Sequence, residues 1–296
     1  VLRRYTQCAP TMTSSMTIFA ALLGSALGRS LSNELIGNFV VLPEQRVLLC
    51  TIDKCANTLL AYAAARVSGI SSVHKIGASR DNTYAKVRYT GSAEDVAQLL
   101  FDPQANTGWR RAVVLRDPVE RFVSAYVSKC LQCNATIGGD GCYNCHSALG
   151  LPRRVDRVPT LAETVDALTR IGPRRVGNPH WVPQARFCGG LARNWRAYTH
   201  VLPFANVSAG LATLFEGRVP RNRRHGLNQL LSGKETAGLT GGENHNRATP
   251  GHTLRQVSMM PLSLRARLEA FYAEDLALLG DIEAAGRIGA PIGALP

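Results

Sequence analysis

Two apolar runs separated by a polar tripeptide open the readable part of the chain. Asn38-Phe-Val-Val-Leu42 and Arg46-Val-Leu-Leu-Cys-Thr-Ile52 predict two strands around a turn at Pro43-Glu44-Gln45, because short apolar runs bounded by turn residues are strand signals. The second run is apolar without alternation, as expected of a strand covered on both faces in a parallel sheet. A helix is predicted from Thr58 to about Ser68, ended by Gly69. Ala112-Val-Val-Leu115 is a third short strand. Asp117-Pro118-Val119-Glu120 then combines three helix-start signals: Asp as N-cap, Pro at the first helical position and Glu placed for a capping box. Phe122 and Tyr126 follow one turn apart on one face. Thr160-Leu-Ala-Glu163 starts another helix, with Leu161, Val165 and Leu168 as its apolar stripe. Late in the chain, Ser263 is placed to cap one helix carrying Leu264, Leu268, Phe271 and Leu276, closed by Gly280.

Strands alternating with helices predict an α/β fold with a central parallel sheet flanked by helices. Residues 1–37 read as a lead-in or stem, 38–285 as the domain, and 286–296 as a tail. The segments 127–160 and 217–257 are rich in Gly, Arg, Asn and Cys, and read as insertions or long loops, where binding surfaces usually lie. No run of eighteen apolar residues is present. Met16 to Leu27 is the best apolar stretch, a buried helix or the remnant of an anchor. The chain starts at Val1, which leaves room for a membrane anchor upstream.

Composition narrows the partners. Hydrophobic residues are 45% and charged residues 19%, which excludes a disordered chain. Lys and Arg outnumber Asp and Glu by 34 to 21, for a net charge of +13. Such a balance favours polyanionic partners: nucleic acid, anionic lipid, phosphorylated cofactors or acidic glycans. The basic residues cluster at Arg153, Arg154 and Arg157, at Arg174 and Arg175, and at Arg221, Arg223 and Arg224.

Two motifs carry candidate chemistry. Thr51-Ile-Asp-Lys-Cys-Ala-Asn-Thr-Leu-Leu60 lies between a buried strand and a helix. That position suits a phosphate loop: helix N-terminal N–H groups point at the anion, Lys54 adds a full charge, and the Thr58 hydroxyl donates a hydrogen bond. The Gly-x-x-x-x-Gly-Lys pattern of nucleoside-triphosphate loops is absent. In the second motif, Leu115-Arg-Asp-Pro-Val-Glu-Arg-Phe-Val-Ser-Ala-Tyr126, Arg116 sits at a strand end and Ser124 two turns into the following helix. A guanidinium that can bond two oxygens, with a hydroxyl nearby, makes a second phosphate site.

The Arg-Asp-Pro-x-Glu-Arg-x-x-Ser-Ala-Tyr string resembles the 3′-phosphate-binding motif of Golgi carbohydrate sulfotransferases. Leu48-Leu-Cys-Thr-Ile-Asp-Lys-Cys-Ala-Asn-Thr58 resembles their 5′-phosphosulfate loop. The nearest branch is the one with the HNK-1, chondroitin and dermatan enzymes. His180-Trp181-x-Pro183-Gln184 with Cys188, and Phe271-Tyr272-Ala-Glu-Asp275-Leu276, are similar to two further family segments. The resemblance spans roughly residues 38–280. It implies a P-loop-like sulfotransferase fold and transfer of a sulfuryl group from 3′-phosphoadenylyl sulfate (PAPS) to a glycan hydroxyl, leaving PAP. It implies that Lys54, Cys55, Ala56, Asn57 and Thr58 bind the 5′ end of the donor, with Lys54 stabilising the leaving group. Arg116 and Ser124 would hold the 3′-phosphate. It also implies the Golgi membrane, with a lumenal catalytic domain. Two positions depart from the pattern: Asp53 stands where Pro is usual, and Asn57 where Cys is usual.

A general base is still required. Among seven histidines, His180 is the candidate, because Trp181 beside it would offer a flat apolar face to a sugar ring. His245 is its competitor. His74 falls in a predicted strand, His146 abuts a cysteine cluster and His225 lies in an Arg-rich run.

Cys130-x-x-Cys133 and Cys142-x-x-Cys145 admit two readings. In a zinc-bearing nucleic-acid-binding protein they would be metal ligands. In a secreted enzyme they would form two disulfides pinning a surface loop, and no metal would be needed. A kinase or NTPase reading lacks a magnesium carboxylate beside a Gly-rich loop. Asn134-Ala-Thr136 and Asn206-Val-Ser208 fit the N-glycosylation pattern.

Overall fold

A four-stranded sheet in the order β1-β2-β3-β4 forms the centre of the protein. The computed structural model describes residues 39–70, 87, 89–131, 145, 149, 159–233 and 255–288. Strand β1 (Phe39–Leu42) pairs antiparallel with β2 (Val47–Cys50), Phe39 opposite Cys50 and Leu42 opposite Val47. The predicted parallel arrangement holds across β2, β3 (Arg110–Leu115) and β4 (His200–Pro203). The reversal at β1 follows from loop length: a turn at 43–46 can only double the chain back, whereas parallel neighbours need a crossover.

Helices supply those crossovers. Helix α1 (Asn57–Ser68) ends where left-handed Gly69 returns its N–H to the carbonyls of Ala65 and Arg66. Helix α2 (Ala93–Phe101) opens with a complete capping box between Ser92 and Asp95. After β3 comes α3 (Pro118–Tyr126), continued by a π-helical turn over Val127–Leu131. Asp117 caps α3 as predicted, accepting from the Glu120 N–H. The box does not close, because the Glu120 carboxylate reaches Arg116 instead. Helix α4 (Leu161–Ile171) does close its box, between Thr160 and Glu163. A single turn α5 (Leu191–Asn194) precedes β4, and α6 (Val207–Phe215), α7 (Arg221–Leu231), α8 (Leu262–Phe271) and α9 (Ala273–Ala284) complete the chain order.

Two apolar clusters organise these elements. The larger fills both faces of the sheet and takes in α1, α6 and α7. The smaller gathers Phe122 and Tyr126 of α3, Val165 and Leu168 of α4, Trp181, and Leu264, Leu268 and Phe271 of α8. This division corrects the prediction of one late helix. The chain breaks at Tyr272 because Leu268 and Phe271 belong to the smaller cluster while Leu278 and Ile282 belong to the larger. Pro261 rather than Ser263 precedes α8, and Gly280 lies inside α9. Part of the predicted loop 217–257 is α7, which packs on α1. There Arg223 donates to the Val67 carbonyl at 2.7 Å.

Two disulfides brace the described residues. Cys130–Cys145 pairs two of the four cysteines expected to form disulfides, and both are buried in the smaller cluster. It also takes up two of the four sulfurs that the zinc reading would need. Cys50–Cys188 joins the end of β2 to the segment before α5, a pairing the sequence did not suggest. Cys133, Cys142, the Asn134 sequon, His74, His146, His245 and the 16–27 stretch lie outside the described residues. No helix among the described residues is long and apolar enough to cross a membrane.

Candidate active site

Strand β2 delivers the chain into a tight loop, 51–56, and out into α1. Lys54 (φ 69°) and Ala56 (φ 62°) are both left-handed, a conformation that costs a side-chain-bearing residue about 1–2 kcal/mol. Alternating backbone hand of this kind makes the concave nests that receive anions. Ala56 is the N-cap of α1 and has no side-chain oxygen to satisfy the first-turn amides, which leaves that helix end suited to an anion. The Lys54 ammonium reaches the Ser128 hydroxyl on the π-helical turn. Thr58 is exposed in the first turn of α1. Cys55 faces inward: it is fully buried, its thiol lies 3.1 Å from Gln184 Oε1, and its N–H bonds the Ile52 carbonyl at 3.0 Å. Burial pushes its pKa up to about 12, against the pull of Arg121 and Arg116. Its observed contacts shape the loop from beneath.

Arg116 leaves the carboxyl end of the neighbouring strand β3. Its side chain is 7% exposed, and burial lowers its pKa. The guanidinium sits 4.1 Å above the Phe204 ring, 3.4 Å from Glu120 and 3.3 Å from the Lys54 carbonyl. The two anion motifs therefore meet at the ends of adjacent parallel strands, the usual place for ligands in an open α/β sheet. Ser124 lies half-buried on α3, behind Arg116 in sequence and one helical turn before Ser128.

The two looser segments dock on each other. The Tyr272 hydroxyl donates to the Trp181 carbonyl at 3.0 Å. Asp275 accepts from the N–H groups of Gln184 and Ala185 at 2.9 and 2.8 Å. Burial raises the pKa of Asp275, opposed by Arg121 and by these amides. Gln184 in turn bonds Arg116 twice through the main chain, accepting from its N–H at 3.0 Å and donating to its carbonyl at 2.8 Å. A buried network thus runs from α9 to the end of β3.

His180 comes to the 51–56 loop. Its Nδ1 stands 3.5 Å from Asp53 Oδ2, and the ring is 18% exposed. Asp53 Oδ1 accepts from Asn57 Nδ2 at 2.9 Å. Asp53 therefore points at His180 and Asn57. Trp181 does not play the predicted part: it is fully buried and packs on Phe122 at 5.5 Å, so its ring is closed to a sugar. Arg121 is also fully buried, bonding the carbonyls of Asp53, Pro179 and Val182.

The family model for the sulfotransferase family matches residues 37–280. This chain belongs to the sulfotransferase family. No curated protein and no solved structure matches it. The match covers the sheet, the 51–56 loop, the β3–α3 junction and most of α9.

Of the predicted residues, the structure groups Lys54, Arg116 and His180 around one loop, with Thr58 at the helix end above it. Sequence reasoning missed Ser128, Glu120 and Phe204 as partners of Lys54 and Arg116. It quoted Gln184 and Asp275 only as parts of similar segments, without their pairing. Glu120 carried a readable signal in its i, i+4 spacing from Arg116; Ser128 and Phe204 carried none.

Proposed function

We propose that this sulfotransferase takes PAPS as donor and a carbohydrate hydroxyl as acceptor, in the branch that resembles the HNK-1, chondroitin and dermatan enzymes. The 3.3 Å contact between Arg116 and the Lys54 carbonyl carries the reading, since it joins both anion motifs in one site. A donor with phosphates at both ends needs two such subsites a short distance apart. Lys54 and the N-terminus of α1, with Thr58, receive the 5′-phosphosulfate, and Arg116 with Ser124 receives the 3′-phosphate.

In transfer, an acceptor hydroxyl oxygen forms a bond to sulfur as the bond from sulfur to the phosphate oxygen breaks. The electron pair leaves on that oxygen, where Lys54 neutralises it. The acceptor proton passes to His180. The rest is positioning by a buried, cross-bonded frame. Two disulfides fit an oxidising lumen, and the exposed Asn206 fits a glycosylated surface. These features support the reading of a Golgi enzyme with its catalytic domain lumenal.

The test is labelled PAPS against a pooled panel of desulfated chondroitin, dermatan and N-linked glycans, with PAP and ATP binding measured alongside. The expected result is label on at least one glycan and PAP binding well above that of ATP. Equal binding of both nucleotides, or label on none of the glycans, would overturn the reading.

A further inference from the structure

We propose that Asp53 is a positioning residue that sets the tautomer of His180 and steadies its charged form, with Asn57 fixing the carboxylate. The inference rests on the reading of His180 as the base, and deepens it. Asp53 and Asn57 are the two positions where the donor loop departs from the pattern it resembles. They prove to be one feature, since Asn57 Nδ2 donates to Asp53 Oδ1 at 2.9 Å. That bond occupies one carboxylate oxygen and turns the other, Oδ2, to His180 Nδ1 at 3.5 Å.

A carboxylate facing Nδ1 favours the proton on Nδ1 and leaves the lone pair on Nε2. At 3.5 Å the contact is longer than a hydrogen bond, as such contacts often are before substrate tightens them. When the acceptor oxygen bonds to sulfur, its proton goes to Nε2. The imidazolium then keeps its Nδ1–H towards Asp53, and the proton passes to water after the products leave. The backbone helps hold the partners in place. Arg121 bonds the carbonyls of Asp53, Pro179 and Val182, which bracket both sides of the pair. The His180 N–H bonds Asn178 Oδ1 at 3.0 Å, setting the start of its own turn. Because Arg121 uses the main chain of Asp53, changing the Asp53 side chain leaves that brace intact.

The experiment is a double-mutant cycle on the full chain, with labelled PAPS and the pooled glycan panel, and PAP affinity and thermal midpoint as controls. His180→Ala should lower kcat by about 10²–10⁴-fold. Asp53→Asn keeps the shape and loses the charge. It should lower kcat at least about tenfold, with KM for PAPS and PAP affinity within about threefold of the parent, as expected for a group that acts on the proton and not on the donor. In the His180→Ala background, Asp53→Asn should cost nothing further. Asn57→Ala should lower kcat several-fold in the same direction. If His180→Ala turns over normally, or the parent labels no glycan, the base or carbohydrate reading fails and this proposal falls with it. If His180→Ala is impaired but Asp53→Asn is silent, additive, or shifts PAP affinity more than about tenfold, the positioning role alone is overturned.

Discussion

Arg121 donates its Nε–H to the main-chain oxygen of Asp53 at 2.8 Å, which makes a fully buried guanidinium the clamp between the donor loop and the 179–182 turn. Its two other bonds go to the carbonyls of Val182 and Pro179 at 2.8 and 2.9 Å. Replacing it with an apolar side chain removes three charge-assisted bonds and strands three carbonyls. Arg121→Met should therefore cost about 3–5 kcal/mol of stability, read from the urea midpoint. Arg121→Lys should recover only part of it, because one ammonium cannot reproduce the planar fork. A loss under about 1 kcal/mol would show that the two loops stand without the clamp.

Arg116 is held by Glu120, the Phe204 face and the Lys54 carbonyl, so little ordering is left to do when an anion arrives. Losing a charged hydrogen-bond partner costs about 1.5–3 kcal/mol, so Arg116→Ala should weaken PAP binding by about 10- to 150-fold in calorimetric titration. Glu120→Gln removes the competing charge and should leave PAP affinity equal or slightly higher. Full affinity in Arg116→Ala would assign the 3′-phosphate elsewhere.

The Cys50–Cys188 bond closes a loop across 138 positions and anchors the strand that feeds the donor loop. A loop of that size confines the unfolded chain strongly, and losing such a bond typically costs about 2–5 kcal/mol. The paired variant Cys50→Ala/Cys188→Ala should lose that much in denaturant unfolding. Cys55 should stay unlabelled by iodoacetamide in the folded protein, its thiol being buried with a pKa pushed up to about 12. Labelling of native Cys55 would contradict this packing.

What the sequence revealed follows sequence distance. The two strand–turn–helix units, β2–α1 and β3–α3, were legible because each has its signals within a dozen residues. Asp117 and Thr160 announced their helices for the same reason. The contacts that assemble the site are remote. Lys54 and Ser128 are 74 positions apart, and Gln184 and Asp275 are 91 apart. Cys188 gave no local sign of Cys50. Trp181 looked like a sugar platform because an aromatic beside a histidine reads the same whether it faces solvent or Phe122. Strand β4 passed unread because only Val201 and Leu202 lie between His200 and Pro203, too few apolar residues to register as a run.

His200 on β4 makes acid stability a test of the core. Burial, with the nearby Arg110 charge, drives its pKa down to about 4, while its Nδ1 lies 2.8 Å from the Thr199 hydroxyl. In the unfolded chain the imidazole titrates near its ordinary value of about 6.5. Between those two values the unfolded state binds a proton that the folded state refuses. The stability contribution is therefore whole above about pH 6.5, falls as the pH drops towards 4, and changes no further below that. Arg110 reinforces the effect, since its guanidinium is fixed by the carbonyls of Thr213, Leu214 and Glu216 and cannot swing away. Asp275 pulls the other way, its raised pKa letting the folded state take up a proton early. A single pH curve mixes the two, so the measurement is the difference between parent and His200→Gln. Glutamine keeps a polar contact for Thr199 and has no charge to gain. The parent should lose about 1–3 kcal/mol more than the variant between pH 7 and pH 4.5. Parallel curves would mean that the core takes up the imidazolium without penalty, and that His200 is reached by water.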